Sequence, residues 1–354
     1  MTHFEKIAAQ LKDRGLDAML VTSEPGEFYA VGFHGEGAAL ITPGKTWYWT
    51  DSRYIESAQQ LIAGAEVALP PKGKNYHTLV ADLVKENNIA KLGFEEEYMS
   101  VASHTAWTKA VETEFVPASE LLTELRQVKD ADELAAMREA QRITDEALLE
   151  ILNFIKPGLT ESEVAARLTY IMARKGAERN SFDPIVACGA NGSKPHAVPG
   201  PDVIQKGQFV TMDFGCKVGG YCSDMTRTVA VGQPSEEMEL VYNTVLKAQL
   251  AGIAAVHAGV IGADVHNAGA KVIADAGYGE YFGHGFGHSL GIEIHENPGF
   301  HTRNNKPVPA GALLSAEPGI YIPGKFGVRI EDVVLVTEEG CIDITRSPKQ
   351  LIIL

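Results

Sequence analysis

The sequence predicts an α+β protein: a small α/β domain followed by a larger, internally duplicated α+β domain whose two halves flank a cleft. Three observations carry that prediction. A chain of 354 residues exceeds most single hydrophobic cores and suits two domains. Strand-like apolar runs alternate with helical stretches over the first hundred residues, whereas the remainder holds two similar segments of helix plus hairpin. Apolar residues at 45% and charged residues at 22% match a folded globular chain, which excludes a disordered or fibrous one.

The elements follow in order. The opening MTHFEKIAAQLKDRGLDAMLV spaces its apolar residues as a helix over 4–14. It lacks the basic start and unbroken apolar core of a signal peptide, which points to a cytoplasmic setting. The runs AMLVTS, GAALIT, TWYWTDS, AEVALP and KLGFEE read as strands, and residues 76–88 as a helix. The pattern changes near Pro117: residues 118–131 are polar and charged, and a long amphipathic stretch from Ala131 to Phe154 opens the second part. This places a boundary at about residue 125, giving domains 1–125 and 126–354.

Within the second part, residues 157–178 overlay 258–280 at an offset of 101, so that Gly158 meets Gly259, Val164 meets Val265 and Gly176 meets Gly277. In each copy a glycine turn precedes a helix of about four turns that ends at a glycine able to take the left-handed C-cap conformation. Thr160 with Glu163 adds a capping box in the first copy. Hairpin signals follow both copies: QFVTMDFGCKVGGYCSDMTRTVAV in one and LLSAEPGIYIPGKFGVRIEDVVLV in the other.

Charge and cysteine content narrow the function classes. With 46 acidic against 31 basic residues the formal charge is -15, which repels nucleic-acid phosphates and anionic membrane surfaces. No apolar run approaches a membrane span. The four cysteines form no CxxC pair and read as small buried hydrophobes in a reduced compartment.

The chemistry concentrates in the duplicated part. If Gly219 and Gly220 make the tight turn of the first hairpin, Asp213 lies diagonally across from Asp224 on one face. Two carboxylates in the mostly apolar run FVTMDFG would repel unless a cation lay between them; the alternative is a pair of acids facing water. In the second hairpin Glu317 and Glu331 are symmetric about Gly324, so a loop of three or five residues sets them opposite each other, and Arg329 shares the face of Glu331. Four carboxylates at matched places in two related hairpins favour metal binding. Between the hairpins YFGHGFGHSLGIEIHENP supplies His284, His288 and His295 among glycines, at a spacing unlike the HExxH helix of zinc proteases. An oxygen-rich site with one imidazole suits Mn²⁺, Co²⁺ or Fe²⁺, with Zn²⁺ also able to enter. His196 lies in the loop ACGANGSKPHAVPG, seventeen residues before Asp213; by itself it reads as an exposed loop histidine.

These residues resemble the metal-dependent pita-bread peptidases, the family of methionine aminopeptidase, aminopeptidase P and prolidase, and most closely its proline-specific branch. The strings HGFGH, HE, EPG and RIED stand where that branch has similar ones, and WTDSRYIESA is similar to the N-terminal domain of the creatinase and prolidase group. The resemblance implies a pseudo-symmetric pita-bread catalytic domain with two divalent metal ions, Mn²⁺ favoured, on Asp213, Asp224, His288, Glu317 and Glu331. Asp224 and Glu331 would bridge the ions, which hold the attacking hydroxide between them. It assigns Glu317 as proton acceptor, His196 and His295 as catalytic histidines, and His284, Tyr321 and Arg329 to substrate binding or to orienting the ligands. The implied activity is hydrolysis of the bond before proline in short peptides, by a homodimer. Gly299 stands where some prolidase-like members carry a basic residue that grips a dipeptide carboxylate, which favours an Xaa-Pro aminopeptidase over an Xaa-Pro dipeptidase, although His301 or Arg303 could substitute. Methionine aminopeptidase, metal-free creatinase and a non-catalytic peptide-binding module fit less well, because the N-terminal domain, His196 and all five ligand positions are present.

Overall fold

The computed structural model describes all 354 residues, which divide into two compact units, Met1–Arg126 and Gln127–Leu354. The first is an α/β unit. In chain order it contains α1 (His3–Leu11), β1 (Ala18–Val21), α2 (Glu24–Val31), β2 (Ala38–Ile41), β3 (Thr46–Trp49), α3 (Ile55–Leu61), β4 (Glu66–Ala68), α4 (Tyr76–Glu86), β5 (Lys91–Phe94), α5 (Val101–Ala110), β6 (Glu114–Pro117) and α6 (Ser119–Gln127). One mixed sheet of order β4-β3-β2-β1-β5-β6 runs through it. The strands named from the sequence lie in it as expected. Its central strands are buried along their whole length, so they read as continuous apolar runs. Trp47, Trp49 and Trp107 pack with Leu20, Leu40, Val80 and Leu92 into its core. The polar stretch 118–131 hides α6, whose Leu121 and Leu122 are buried while the rest of the helix carries charge.

The second unit is pseudo-symmetric. Its first half comprises α7 (Ala131–Ile151), α8 (Glu161–Arg174), β7 (Arg179–Asn180), β8 (Ile185–Cys188), β9 (Gln208–Phe214), β10 (Cys216–Val218), β11 (Tyr221–Cys222) and β12 (Met225–Val231). Its second comprises α9 (Glu236–Ala254), α10 (Gly262–Asp275), β13 (Gly287–Ser289), β14 (Glu296–Phe300), β15 (Leu313–Ala316), β16 (Gly319–Ile322), β17 (Phe326–Arg329), β18 (Asp332–Val336) and β19 (Cys341–Asp343). α8 and α10 have 14 residues each and start at Glu161 and Gly262, the offset of 101 seen in the sequence. Gly158, Gly176, Gly259 and Gly277 bracket them in the left-handed region, at φ 98°, 105°, 82° and 86°. Thr160 and Glu163 form the expected capping box; Ile261, at the matching place, makes no side-chain cap.

The helices bury their apolar faces against the strands, α9 against strands of both halves. α7 and α8 cover one face of β8, β9 and β12 through Ile143, Leu148, Val164, Leu168, Val210, Met212 and Met225. Val265 of α10 packs with Phe286, Phe300, Leu314 and Val334, whereas α9 reaches Ile320, Val328 and the far face of β9 at Phe209. β9 is thus covered on both faces, which is why its polar residues are few and conspicuous. All four cysteines are free, and only Cys341 is not fully buried.

Candidate metal centre

Register alone aligns the acids of the first hairpin. Gly219 and Gly220, at φ 55° and 78°, close the turn, and Thr226 stands opposite Asp213. Asp224, two residues before Thr226, therefore projects from the same face, diagonally across from Asp213. The opposite face of these strands carries Val210, Met212, Phe214 and Met225 into the helices. Gly215 permits the approach: a Cβ there would lie 2.0 Å from the Ser223 carbonyl oxygen.

The second hairpin keeps one register throughout, with Ala316 opposite Asp332 and Gly319 opposite Arg329. That register sets Glu317 across from Glu331, and the connection of three residues, 323–325, has Gly324 at φ 73°. His288 comes from β13, which pairs with β14 and β15. A Cβ on the preceding Gly287 would lie 1.9 Å from the Ser315 carbonyl oxygen, so glycine lets β13 close on β15 and carries the imidazole to the acids. His288 Nε2 stands 3.2 Å from Glu317 Oε1 and 3.6 Å from Asp224 Oδ2.

The donor atoms of Asp224, His288 and Glu331 lie within 4.8 Å of one another. Asp213 and Glu317 flank this trio in the same cleft of about 550 Å³, which His196, His284, His295, His301, Arg303 and Arg329 also line. Tyr321 touches the group through its hydroxyl. The seven site candidates from the sequence outside that trio (His196, His284, His295, Tyr321 and Arg329 with Asp213 and Glu317) thus gather around one place.

Arg329, buried at 3% exposure, fixes the carboxylates by donating in four directions. Its Nη2 reaches Asp213 Oδ2 at 2.6 Å, Nε reaches Thr226 Oγ1 at 2.9 Å, and Nη1 reaches Tyr321 Oη at 2.8 Å and the Pro195 carbonyl at 3.1 Å. Thr226 accepts from Arg329 and donates its own proton to Glu331 Oε2 at 2.7 Å. Ser315 does the same on the other side, accepting from the His288 backbone N–H and donating to Glu317 Oε1 at 3.1 Å. Thr226 and Ser315 were not foreseen from the sequence. The signal was there: each stands two residues from a site acid in a strand, hence on its face.

The imidazoles have assigned tautomers because carbonyl oxygens only accept. His284 Nδ1 faces the Gly285 carbonyl at 2.8 Å and must carry hydrogen, so Nε2 accepts from Tyr321 Oη at 3.0 Å. Likewise His288 Nδ1 faces the Ser289 carbonyl at 3.2 Å, which leaves Nε2 turned toward the acids.

Three buried carboxylate oxygens, Asp213 Oδ1, Asp224 Oδ1 and Glu331 Oε1, have no hydrogen-bond partner. Such orphans are expensive, and a divalent cation satisfies them. Burial raises the pKa of Asp213, Asp224 and Glu331, and the charges of neighbouring acids push Asp224 and Glu331 further up. Burial opposes protonation of His288, but its bond to Glu317 overrides burial and raises its pKa. Glu317, despite its own burial, is drawn down to about 2 by His288. Burial lowers His284 and His295. Repelling acids, unsatisfied oxygens and an imidazole nitrogen aimed among them fit a centre for divalent cations.

Comparison with known proteins agrees with this geometry. Residues 135–338 match the description of metallopeptidase family M24, and residues 4–128 match the creatinase/prolidase N-terminal domain. The uncharacterized peptidase YqhT of Bacillus subtilis is 42% identical over 352 residues, 99% of each chain. An Xaa-Pro dipeptidase from Bacillus anthracis superposes with a TM-score of 0.95 at 43% identity, over 99% of both chains. An X-Pro aminopeptidase from Thermotoga maritima superposes with a TM-score of 0.91 at 35% identity, over 96% of this chain and 98% of that one.

Proposed function

This chain belongs to metallopeptidase family M24 and is a hydrolase of its Xaa-Pro peptidase type, and from that premise we propose that it cleaves Xaa-Pro dipeptides. The observation that carries the hydrolytic reading is the group of four acids around His288, Asp224 and Glu331 buried and Asp213 and Glu317 partly so, with three carboxylate oxygens left unsatisfied. Asp213, Asp224, His288, Glu317 and Glu331 would hold two divalent cations, Mn²⁺ best suited to a donor set of oxygens with one imidazole, with Co²⁺ or Zn²⁺ as substitutes. When bound, these ions lower the pKa of water and polarise the scissile carbonyl.

The protein's own groups do the rest. Glu317 accepts from His288, which keeps its basicity low. A neutral His288, the form that ligates metals, removes that donor and returns Glu317 Oε1 to use as a proton acceptor. Proline nitrogen carries no hydrogen in the peptide and must gain a proton to leave. His295, its ring 4.5 Å from that of His288, and His196 from the loop after β8 are the imidazoles placed to donate hydrogen bonds to the developing oxyanion and to help pass to the leaving nitrogen the proton that Glu317 takes from water. Arg329 holds Asp213 and, through Thr226, Glu331 in position.

The dipeptide preference rests on Arg303, which lines the cleft and makes no ion pair, so that a free carboxylate following proline can reach a guanidinium. His301 lies beside it and fills the space over Gly299, where an added Cβ would meet the imidazole at 2.7 Å. Gly299 therefore does not remove the cation from this end of the cleft. The aminopeptidase is the second reading, carried by the missing basic side chain at Gly299 itself. Hydrolysis rates for Ala-Pro against Ala-Pro-Ala, with Mn²⁺ restored after chelation, decide between them: faster cleavage of Ala-Pro, lost in Arg303→Ala, is expected. Equal or faster cleavage of the tripeptide establishes the aminopeptidase, and full activity after chelation removes the metal mechanism.

A further inference from the structure

A second concavity, of about 480 Å³, opens between α7 and the segment that follows β19, and shares no lining residue with the catalytic cleft. Its walls are Leu149, Ile342, Ile344 and Pro348 with three guanidiniums, Arg138, Arg142 and Arg346, and two acids, Asp145 and Glu146. Leu149 and Ile342, which both line the hollow, are 56% and 46% exposed.

The acids are already engaged. Asp145, 7% exposed, accepts from the Arg346 and Ser347 backbone N–H groups at 2.9 Å each and from Ser347 Oγ at 2.6 Å. Glu146 is held by Arg142, which also pairs with Glu139, and by Lys175 at 3.2 Å. Arg138 and Arg346 make no ion pair or side-chain hydrogen bond, so two guanidiniums are free above an apolar floor. The floor is fixed from beneath: the buried Arg227 donates to the Ser347 and Pro348 carbonyls at 2.8 and 2.9 Å and pairs with Asp332 at 2.7 Å.

We propose that this hollow is a binding site for a small monocarboxylate with an apolar body, separate from the catalytic cleft. The volume is that of a small-molecule site, and a guanidinium fork matches a carboxylate. Three cations against two acids leave the lining with one net positive charge, which suits a monoanion; a doubly charged phosphate would meet Asp145 and Glu146. The chain's formal charge of -15 makes a local cationic hollow the exception on this surface.

The test is calorimetric titration of the metal-loaded protein with 3-phenylpropanoate and with its uncharged counterpart 3-phenylpropanol, on wild type and on the double variant Arg138→Gln/Arg346→Gln. Both side chains are away from the cleft, so Ala-Pro hydrolysis by the variant reports that the centre is intact, and any carboxylate binding at the metals persists in it. Expected is a saturable component in wild type that is weakened about tenfold or more in the variant and for the alcohol. Indistinguishable titrations of wild type and variant, or equal binding of the alcohol, overturn the proposal. So does gel filtration showing that the variant dissociates a wild-type assembly while the probe binds neither, since the hollow is then covered by a second copy of the chain.

Discussion

Arg329 shows how one residue can set a site's chemistry without being a metal ligand. Its guanidinium leaves each partner acid with one oxygen occupied and one turned inward: Asp213 directly, Glu331 through the Thr226 hydroxyl. Replacing Thr226 by the isosteric valine removes the donor to Glu331 and keeps the strand's shape. Metal affinity is expected to fall about 10–100-fold with the fold unchanged, measured by titration of the metal-free protein with Mn²⁺. Asp224→Asn and Glu331→Gln go further, because each alters an acid proposed as a ligand. The expected outcome is fewer than two tightly held ions per chain and turnover reduced by more than about 100-fold; two ions with normal activity would remove these residues from the centre. His196 marks the opposite case, since its loop position carried no signal of its own and only the cleft connects it with the other histidines.

At the scale of elements, two hairpins and one bent strand assemble the centre, and glycines decide how closely they meet. Gly215 and Gly287 each face a carbonyl oxygen at about 2 Å from any added Cβ. Gly215→Ala must push β10 away from Ser223, at a cost of at least about 1–3 kcal/mol, and spread Asp213 from Asp224. Lowered urea midpoint together with weakened metal retention is the expected result; a stable variant with unchanged metal content contradicts the close-approach argument. The hairpin registers were legible beforehand, because symmetric spacing about Gly219–Gly220 and about Gly324 admits few pairings that keep an apolar face buried. The helix α6 was not, since its buried residues are only two leucines, Leu121 and Leu122, with the polar Ser119 and Arg126, too weak an apolar signal to mark helical period.

For the whole molecule, the two units can be watched separately. The chain's three tryptophans, Trp47, Trp49 and Trp107, all belong to the core of the first unit, so their fluorescence reports that unit's unfolding. There Glu27, 3% exposed, accepts from Tyr48 Oη at 2.9 Å and from the Gly37 N–H at 3.0 Å. Burial nonetheless raises its pKa from 4.5 to about 7. A carboxyl with a raised folded pKa binds its proton more tightly when folded, so its contribution is most favourable below pH 4.5 and is lost as pH rises through about 7. Relative to Glu27→Gln, wild type is therefore expected to lose on the order of 3 kcal/mol between pH 4.5 and 7.5 in denaturant titrations followed by tryptophan emission. A difference that stays constant with pH contradicts the assignment. No helix is long and apolar enough to cross a membrane, and in the second unit the burial of α7 to α10 comes from packing on its strands.

The sequence by itself determined the class of fold, the internal duplication and the acids that share a strand face, because strand period, glycine turns and helix caps act over a few residues and are written in spacing. Only the tertiary structure decided which loop histidines reach the acids, that Thr226 and Ser315 orient them, that His301 occupies the room left by Gly299, and that Arg138 and Arg346 stand unpaired over an apolar hollow. Those facts depend on contacts between segments up to a hundred or more residues apart, such as Arg329 with Pro195 and Arg227 with Ser347. Side-chain packing in three dimensions sets them, and no local periodicity encodes it.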